Sequence, residues 1–328
     1  MKNVFTIVRN NFRRAAGRRT YILISLGITF VTILLAVYFT SNFEIKGNIA
    51  LVSRGSVPEI LSKSMNVRLM ESVPPRSQLV MNKFDAVVID RGNGEYVVDT
   101  IKNREFEETV LKLLKNTGAF NTEEYKSRKA GTVILGYMIM FLLLQGLYFM
   151  AFFTEDKERR SFRRIVTSPA SIAGYLAANC IFSFIMVYVP TMAVLAVCRE
   201  ALGIDIGFAY LQYAGLLAMF VAFSSTFALF MTAVLENPDN VMALASSIAV
   251  LTSILSGSFS AVNTGSSAVN RFIGLIPQKA YLTLVQGLEN GKTFTDYLPQ
   301  AGYMLVLSLA MAGLGVMVCR RRFNAGRY

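Results

Sequence analysis

The chain is 328 residues long, 53% hydrophobic and 16% charged, with a mean hydropathy of +0.45; soluble domains carry about 25% charged residues, so an ordinary soluble domain is excluded. The net charge of +12 is spread over the flanks of apolar blocks and not gathered into one basic region, which speaks against a nucleic-acid partner. Histidine is absent, which removes Ser-His and Cys-His catalysis and the commonest metal ligand.

Residues 1–19 read as a cytoplasmic amphipathic helix, with Val4, Ile7, Val8 and Phe12 at helical spacing among Lys2, Arg9, Arg13, Arg14, Arg18 and Arg19. Residues 20–40 form the first span, Tyr21 to Thr40 being its apolar part. It is longer than a signal-peptide h-region and lacks a small-x-small cleavage site, so it reads as a retained anchor. Residues 41–130 change character: charges of both signs are interspersed with short β-branched runs at Ile49 to Val52, Val67 to Met70, Ala86 to Ile89 and Tyr96 to Ile101. Gly92, Asn93 and Gly94 supply a turn, and Arg104 to Lys115 has helical periodicity, so a small α/β domain is expected here.

The second span is expected at 131–153, a polar loop at 154–170, spans three to five within 171–259, and a sixth at 298–319 before a basic tail at 320–328. Blocks of roughly 20 apolar residues match the hydrocarbon thickness as helices, and barrel strands would be half as long and alternating. Residues 260–297 are too broken by Asn263, Gly265, Asn270, Arg271, Gly274 and Pro277 to cross cleanly, which predicts short re-entrant or interfacial helices. The three cysteines, Cys180, Cys198 and Cys319, lie in or at the end of spans as small hydrophobes. The fold class is thus an all-α polytopic membrane protein of about six transmembrane helices, with a small extracytoplasmic α/β domain between helices 1 and 2.

Orientation follows from the basic residues. The amino terminus, the loop holding Lys157, Arg159, Arg160, Arg163 and Arg164, and the tail with Arg320, Arg321, Arg322 and Arg327 share one side, which makes both termini cytoplasmic in a multi-pass protein of the cell membrane. The span interiors carry no Asp, Glu, Lys or Arg, whereas ion-coupled carriers place such groups near the midplane. The energy source is therefore expected outside this chain. Gly287, Gly291, Lys292 and Thr293 have one residue too few between the glycines for a P-loop, and no strand precedes them.

The most specific motif opens with Glu155, Asp156, Lys157, Glu158 and Arg159, continues through Phe162, Arg163, Arg164, Ile165 and Val166, and closes with Thr167, Ser168 and Pro169, after which Ser171 is placed to cap the next helix. A second stretch has Ser256, Gly257 and Phe259 followed by Ser260, then Pro277 and Tyr281. On these residues, and on the order of elements along nearly its whole length, the chain resembles an ABC-2 type permease, the membrane subunit of a type V ABC exporter. The resemblance implies a coupling helix docking in a groove of a separate ATPase, carried by Glu155, Asp156, Glu158, Arg159, Phe162, Arg163 and Ile165.

The expected partners are a nucleotide-binding ATPase subunit, a second permease chain as homodimer or paralogue heterodimer, and membrane lipids. No cofactor is expected in this chain, ATP and Mg belonging to the partner ATPase, and no covalent chemistry is expected of it. Tyr137, Phe141, Phe223, Ser225 and Ser253 are candidate path-lining groups, together with Met138 and Ser224. The alternative reading is a membrane-anchored receptor or immunity protein whose external domain binds a peptide or phage without transport.

Overall fold

The computed structural model describes residues 2–42, 48–53, 66–70, 72–80, 83–90, 92, 95–100, 107, 110, 111, 114, 129–167, 171–259 and 267–326. The chain divides into two compact units, one formed by 1–38 with 129–328 and the other by 39–128.

The smaller unit is built on four strands, β1 (Asn48–Val52), β2 (Asn66–Met70), β3 (Ala86–Asp90) and β4 (Tyr96–Asp99), in the spatial order β2-β1-β3-β4. β1 pairs in parallel with β2 and β3, and β3 pairs antiparallel with β4. Successive residues point to opposite faces of a strand, so β1 and β3 serve two cores at once. Ile49, Leu51, Ala86 and Val88 pack with Val110 and Leu114 on one face, and Ala50 and Val87 pack with Phe84 and Leu79 of the short helix α3 (Ser77–Val80) on the other. A sheet covered on both faces explains why its central strands read as unbroken apolar runs and not as alternating ones. Of the expected turn and helix, Gly92 has φ +81° and Glu107, Val110, Leu111 and Leu114 are helical, while Asn93, Gly94 and most of 104–115 lie outside the described residues.

The larger unit is helical. α1 (Lys2–Ala16) is followed by α2 (Arg19–Asn42) and α4 (Ala130–Glu158), then by a single short turn of helix, α5 (Ser161–Val166). α6 (Ile172–Glu200), α7 (Tyr210–Val234) and α8 (Pro238–Leu255) come next, and after them α9 (Ser267–Gly274), α10 (Pro277–Glu289) and α11 (Leu298–Asn324), a 3₁₀ turn at Phe294–Tyr297 leading into the last. Among the described residues five helices are long and apolar enough to cross a membrane, α4, α6, α7, α8 and the stretch Phe294–Asn324. The expected first span falls on α2, whose described apolar stretch, Ile22–Tyr38, is shorter.

Boundaries shift at three helix ends. α4 continues past Phe153 to Glu158, because Glu155, Asp156, Lys157 and Glu158 contain nothing that stops a helix. α8 ends at Leu255, four residues before Phe259, since Gly257 takes a left-handed φ of +80° and Ser256 and Ser258 bond to one another through their hydroxyls. The last helix runs through the basic residues to Asn324. The broken region after α8 does form short helices, α9 and α10, while 260–266 lie outside the described residues.

The centre of the larger unit is packed by small residues and rings. Gly146 of α4 faces α7 so closely that a Cβ there would collide with the Ser224 hydroxyl and sit 3.2 Å from the Ser224 carbonyl oxygen. Helices in a bilayer gain nothing from expelling water, so such close backbone approach supplies their attraction. Ser224 Oγ in turn donates to the Leu142 carbonyl at 2.7 Å, and Gln145 Nε2 donates to Thr29 Oγ1 of α2 at 2.9 Å. α1 lies along α6, held by Phe12 edge-on to Phe182 at 5.2 Å and by the buried pair Asn11 Nδ2 to Asn179 Oδ1 at 3.0 Å.

Candidate functional site

α4 ends in two adjacent carboxylates. The carboxyl end of a helix carries partial negative charge, so Glu155 and Asp156 are unfavourably placed unless cations meet them. The last turn of α1 and the link that follows it supply those cations, Arg14 from α1 and Arg18 from the short link to α2. Arg18 grips Glu155 with both fork nitrogens, Nη1 to Oε1 at 2.6 Å and Nη2 to Oε2 at 3.1 Å. Arg14 bridges the pair, Nη1 to Asp156 Oδ2 at 3.0 Å and Nη2 to Glu155 Oε2 at 3.4 Å. Both guanidinium groups also lie over the Phe152 ring, at 4.6 and 5.5 Å from its centroid. The buried Tyr175 hydroxyl of α6 donates to Asp156 Oδ2 at 2.6 Å. Three helices thus meet on two carboxylates, in a half-buried setting where a two-pronged arginine contact is stronger than an exposed pair.

The next residue points the other way. Lys157 is buried and donates to the carbonyl oxygens of Thr232 and Leu235, at the carboxyl end of α7, and its ammonium lies 5.0 Å from the Phe153 centroid. Arg322 of α11 adds a second cation there, donating to the Val234 carbonyl at 2.6 Å and pairing with Glu236 at 3.3 Å. Those carbonyls have no partner inside their own helix, and two cations complement the helix dipole.

Beyond Glu158 the chain turns sharply at Arg160, which adopts a left-handed φ of 55° that non-glycine residues seldom take, and α5 begins. Sequence reasoning expected one helix from Glu155 to Arg164 with acids at its start. The structure instead puts the acids at the end of α4 and leaves α5 six residues long. It also places Phe162 differently: expected to face a partner's groove, its ring is 0% exposed among Phe153, Tyr175 and Phe323 at 5.2 to 6.2 Å. Ile165 and Val166 are half-buried against the same core, while Glu158, Arg159, Arg160, Arg163 and Arg164 are exposed. Ser168 and Pro169 lie outside the described residues, and Ser171 caps α6 by accepting from the Gly174 amide at 3.1 Å.

The candidate path-lining groups are on three helices. Tyr137 and Phe141 of α4 are half-buried, Tyr137 edge-on to Phe259 at 5.1 Å. Phe223 and Ser225 of α7 and Ser253 of α8 are buried, as are Met138 and Ser224.

The opposite end of α4 is anchored by a single side chain. Glu289, at the end of α10, accepts from the amides of Gly131 and Thr132 at 2.7 and 2.8 Å and from the Thr132 hydroxyl at 2.5 Å. A carboxylate at a helix amino terminus is favoured by the dipole. Gly207, with φ +81°, closes over it: a Cβ there would lie 2.5 Å from both Glu289 Oε1 and the Gly131 nitrogen.

Sequence reasoning missed Arg14, Arg18, Tyr175, Arg322 and Glu289. The available signal was a basic helix with no acid of its own and a span ending in two adjacent acids with no base before them.

Apolar helices of membrane-crossing length, packed by small residues and pinned by charge clusters only at their ends, define a multi-pass membrane protein. The family described as an ABC-2 family transporter protein matches residues 60–317, and the chain belongs to it. It is a transport permease, of a kind that works with an ATPase subunit and is not itself the catalyst. No curated protein matches the chain.

Proposed function

We propose that this chain is the membrane half of an ATP-driven exporter of the cell membrane, paired with a second permease chain and with a separate ATPase that holds the ATP and Mg. Both termini and the 154–170 loop are cytoplasmic in this reading, α2 is the first of six spans, and unit 39–128 is extracytoplasmic; the basic residues flanking the helix ends support the orientation. Access alternates between the two sides as the ATPase pair closes and opens.

The observation that carries the proposal is the construction around Glu155 and Lys157. The exposed face of the segment, Glu158, Arg159, Arg163 and Arg164, is the docking surface for the ATPase. Phe162 is no contact for the partner but the pin that ties α5 to α4, α6 and α11. A push on α5 reaches α4 through Phe162, α1 and its link to α2 through Arg14 and Arg18, and α7 through Lys157. Tyr137 and Phe141, half-buried on α4, are the path-lining groups nearest to use, and Phe223, Ser225 and Ser253 join them only when helices separate.

The test replaces Arg163 and Arg164 by Glu together and measures ATPase co-elution and turnover in the purified complex. Loss of the partner with the permease still folded is expected; full co-elution with normal turnover contradicts the docking surface. Orientation is checked separately in a background lacking Cys180, Cys198 and Cys319. A cysteine at Glu95 should react with an impermeant thiol reagent in intact cells, and one at Thr167 only after permeabilisation.

A further inference from the structure

A cavity of about 230 Å³ lies between α1 and the ends of the helices it packs on, lined by Arg9, Asn10 and Arg13 of α1 and by Asp156, Ile165 and Tyr175 from α4, α5 and α6. Asp156 is already engaged by Arg14 and by the Tyr175 hydroxyl. Arg9 and Arg13 have no ion pair or hydrogen bond among the described residues and are exposed, one helical turn apart on the same face of α1. With Asp156 balanced by Arg14, the cavity carries the uncompensated charge of two guanidinium groups, so it suits an anion. The guanidinium fork matches the oxygens of a phosphate in a two-pronged fashion. Its α1 wall is fixed, since the buried Asn11–Asn179 pair and the Phe12–Phe182 contact hold that helix against α6.

The same helical face says which phosphate. Phe5 stands one turn before Arg9 and is 70% exposed, so the stripe Phe5, Arg9, Arg13 runs from a bare aromatic ring to two bare cations. A water-soluble anion gains nothing from the ring. An acidic phospholipid meets both ends of the stripe, its phosphate on the arginines and its acyl chains against the ring, and amphipathic helices with basic and aromatic residues so arranged sit at the headgroup boundary. We propose that this cavity is a binding site for the phosphate of an acidic phospholipid headgroup, with Arg9 and Arg13 as its ligands. The site requires only a membrane-embedded chain; it does not require that the chain couple to an ATPase.

The experiment is native mass spectrometry of the full chain in detergent, titrated with phosphatidylglycerol and, separately, with phosphatidylcholine, the unfolding temperature of each variant being recorded. The wild-type chain is expected to retain phosphatidylglycerol about tenfold more tightly than phosphatidylcholine, and Arg9→Ala with Arg13→Ala to abolish the difference. Arg9→Lys with Arg13→Lys, which keeps the charge and loses the fork, should fall between them, and it decides the matter if the alanine pair does not fold. Arg320→Ala with Arg321→Ala, removing two exposed cations from the tail, should leave the preference intact. An equal loss in the tail variant, or no preference in the wild-type chain, overturns the site. Displacement of the lipid by millimolar inorganic phosphate would assign the cavity to a soluble phosphate compound and overturn the lipid assignment.

Discussion

The two ends of α4 are both held by carboxylates, with opposite electrostatic sense. At Gly131 and Thr132 the carboxylate of Glu289 comes from another helix and sits where the dipole favours it, so dipole and hydrogen bonds act together. At Glu155 and Asp156 the carboxylates belong to α4 and sit where the dipole opposes them, so their position depends on Arg14 of α1 and Arg18 of the link that follows it. An end whose contact the dipole reinforces serves as a fixed point, and an end whose own charges the dipole opposes is held only as long as the cations of its neighbour stay in place. The comparison assigns the first end to stability and the second to transmission.

The largest effect on stability is expected at the anchor. Glu289→Ala removes three hydrogen bonds to a charged acceptor and leaves two amides at a helix start without a partner, a loss of about 3 kcal/mol. Thermal unfolding in detergent reads it, and ATPase turnover per folded complex should hardly change. Glu289→Gln, which keeps the shape, should recover part of the loss. A large fall in turnover with little change in unfolding would reverse the assignment of the two ends.

Lys157→Met is expected to come next, at about 1–3 kcal/mol, because it strips the buried carbonyl of Thr232 and the half-buried one of Leu235 of a cationic donor. Here both unfolding and turnover should suffer, since α7 loses its tie to the lever. Arg14→Ala follows, with about 1 kcal/mol on unfolding, because solvent reaches these half-buried pairs, but with a drop of about tenfold in turnover. The smallest change belongs to Arg163→Ala, an exposed charge with no ion pair among the described residues, which should leave unfolding unaltered.

How much of this was legible in the sequence differs between the two kinds of contact. Local patterns were readable: Val4, Ile7, Val8 and Phe12 do line the packed side of α1, the four β-branched runs are the four strands, and Ser171 is a helix cap, each fixed by residues a few places apart. The turn at Arg160 was not, because Glu158, Arg159, Arg160 and Ser161 include no glycine or proline to mark a left-handed residue. Nor were the charge pairs. Arg18 meets Glu155 across 137 positions and Arg14 meets Asp156 across 142, and charge sign alone does not choose one partner among 33 basic residues. The burial of Phe162 was hidden for a related reason: an aromatic residue in a basic segment reads equally well as an interface contact or as a core pin.

The central claim is that the link between α1 and the end of α4 transmits force between ATPase and spans. A charge-exchange cycle at Arg18 and Glu155, read by ATPase turnover of the complex with its partner, tests it most directly. Arg18→Glu and Glu155→Arg should each lower turnover about tenfold, and the two together should restore most of it. Normal turnover in either single variant, or a double variant as impaired as the product of the singles, would contradict the account.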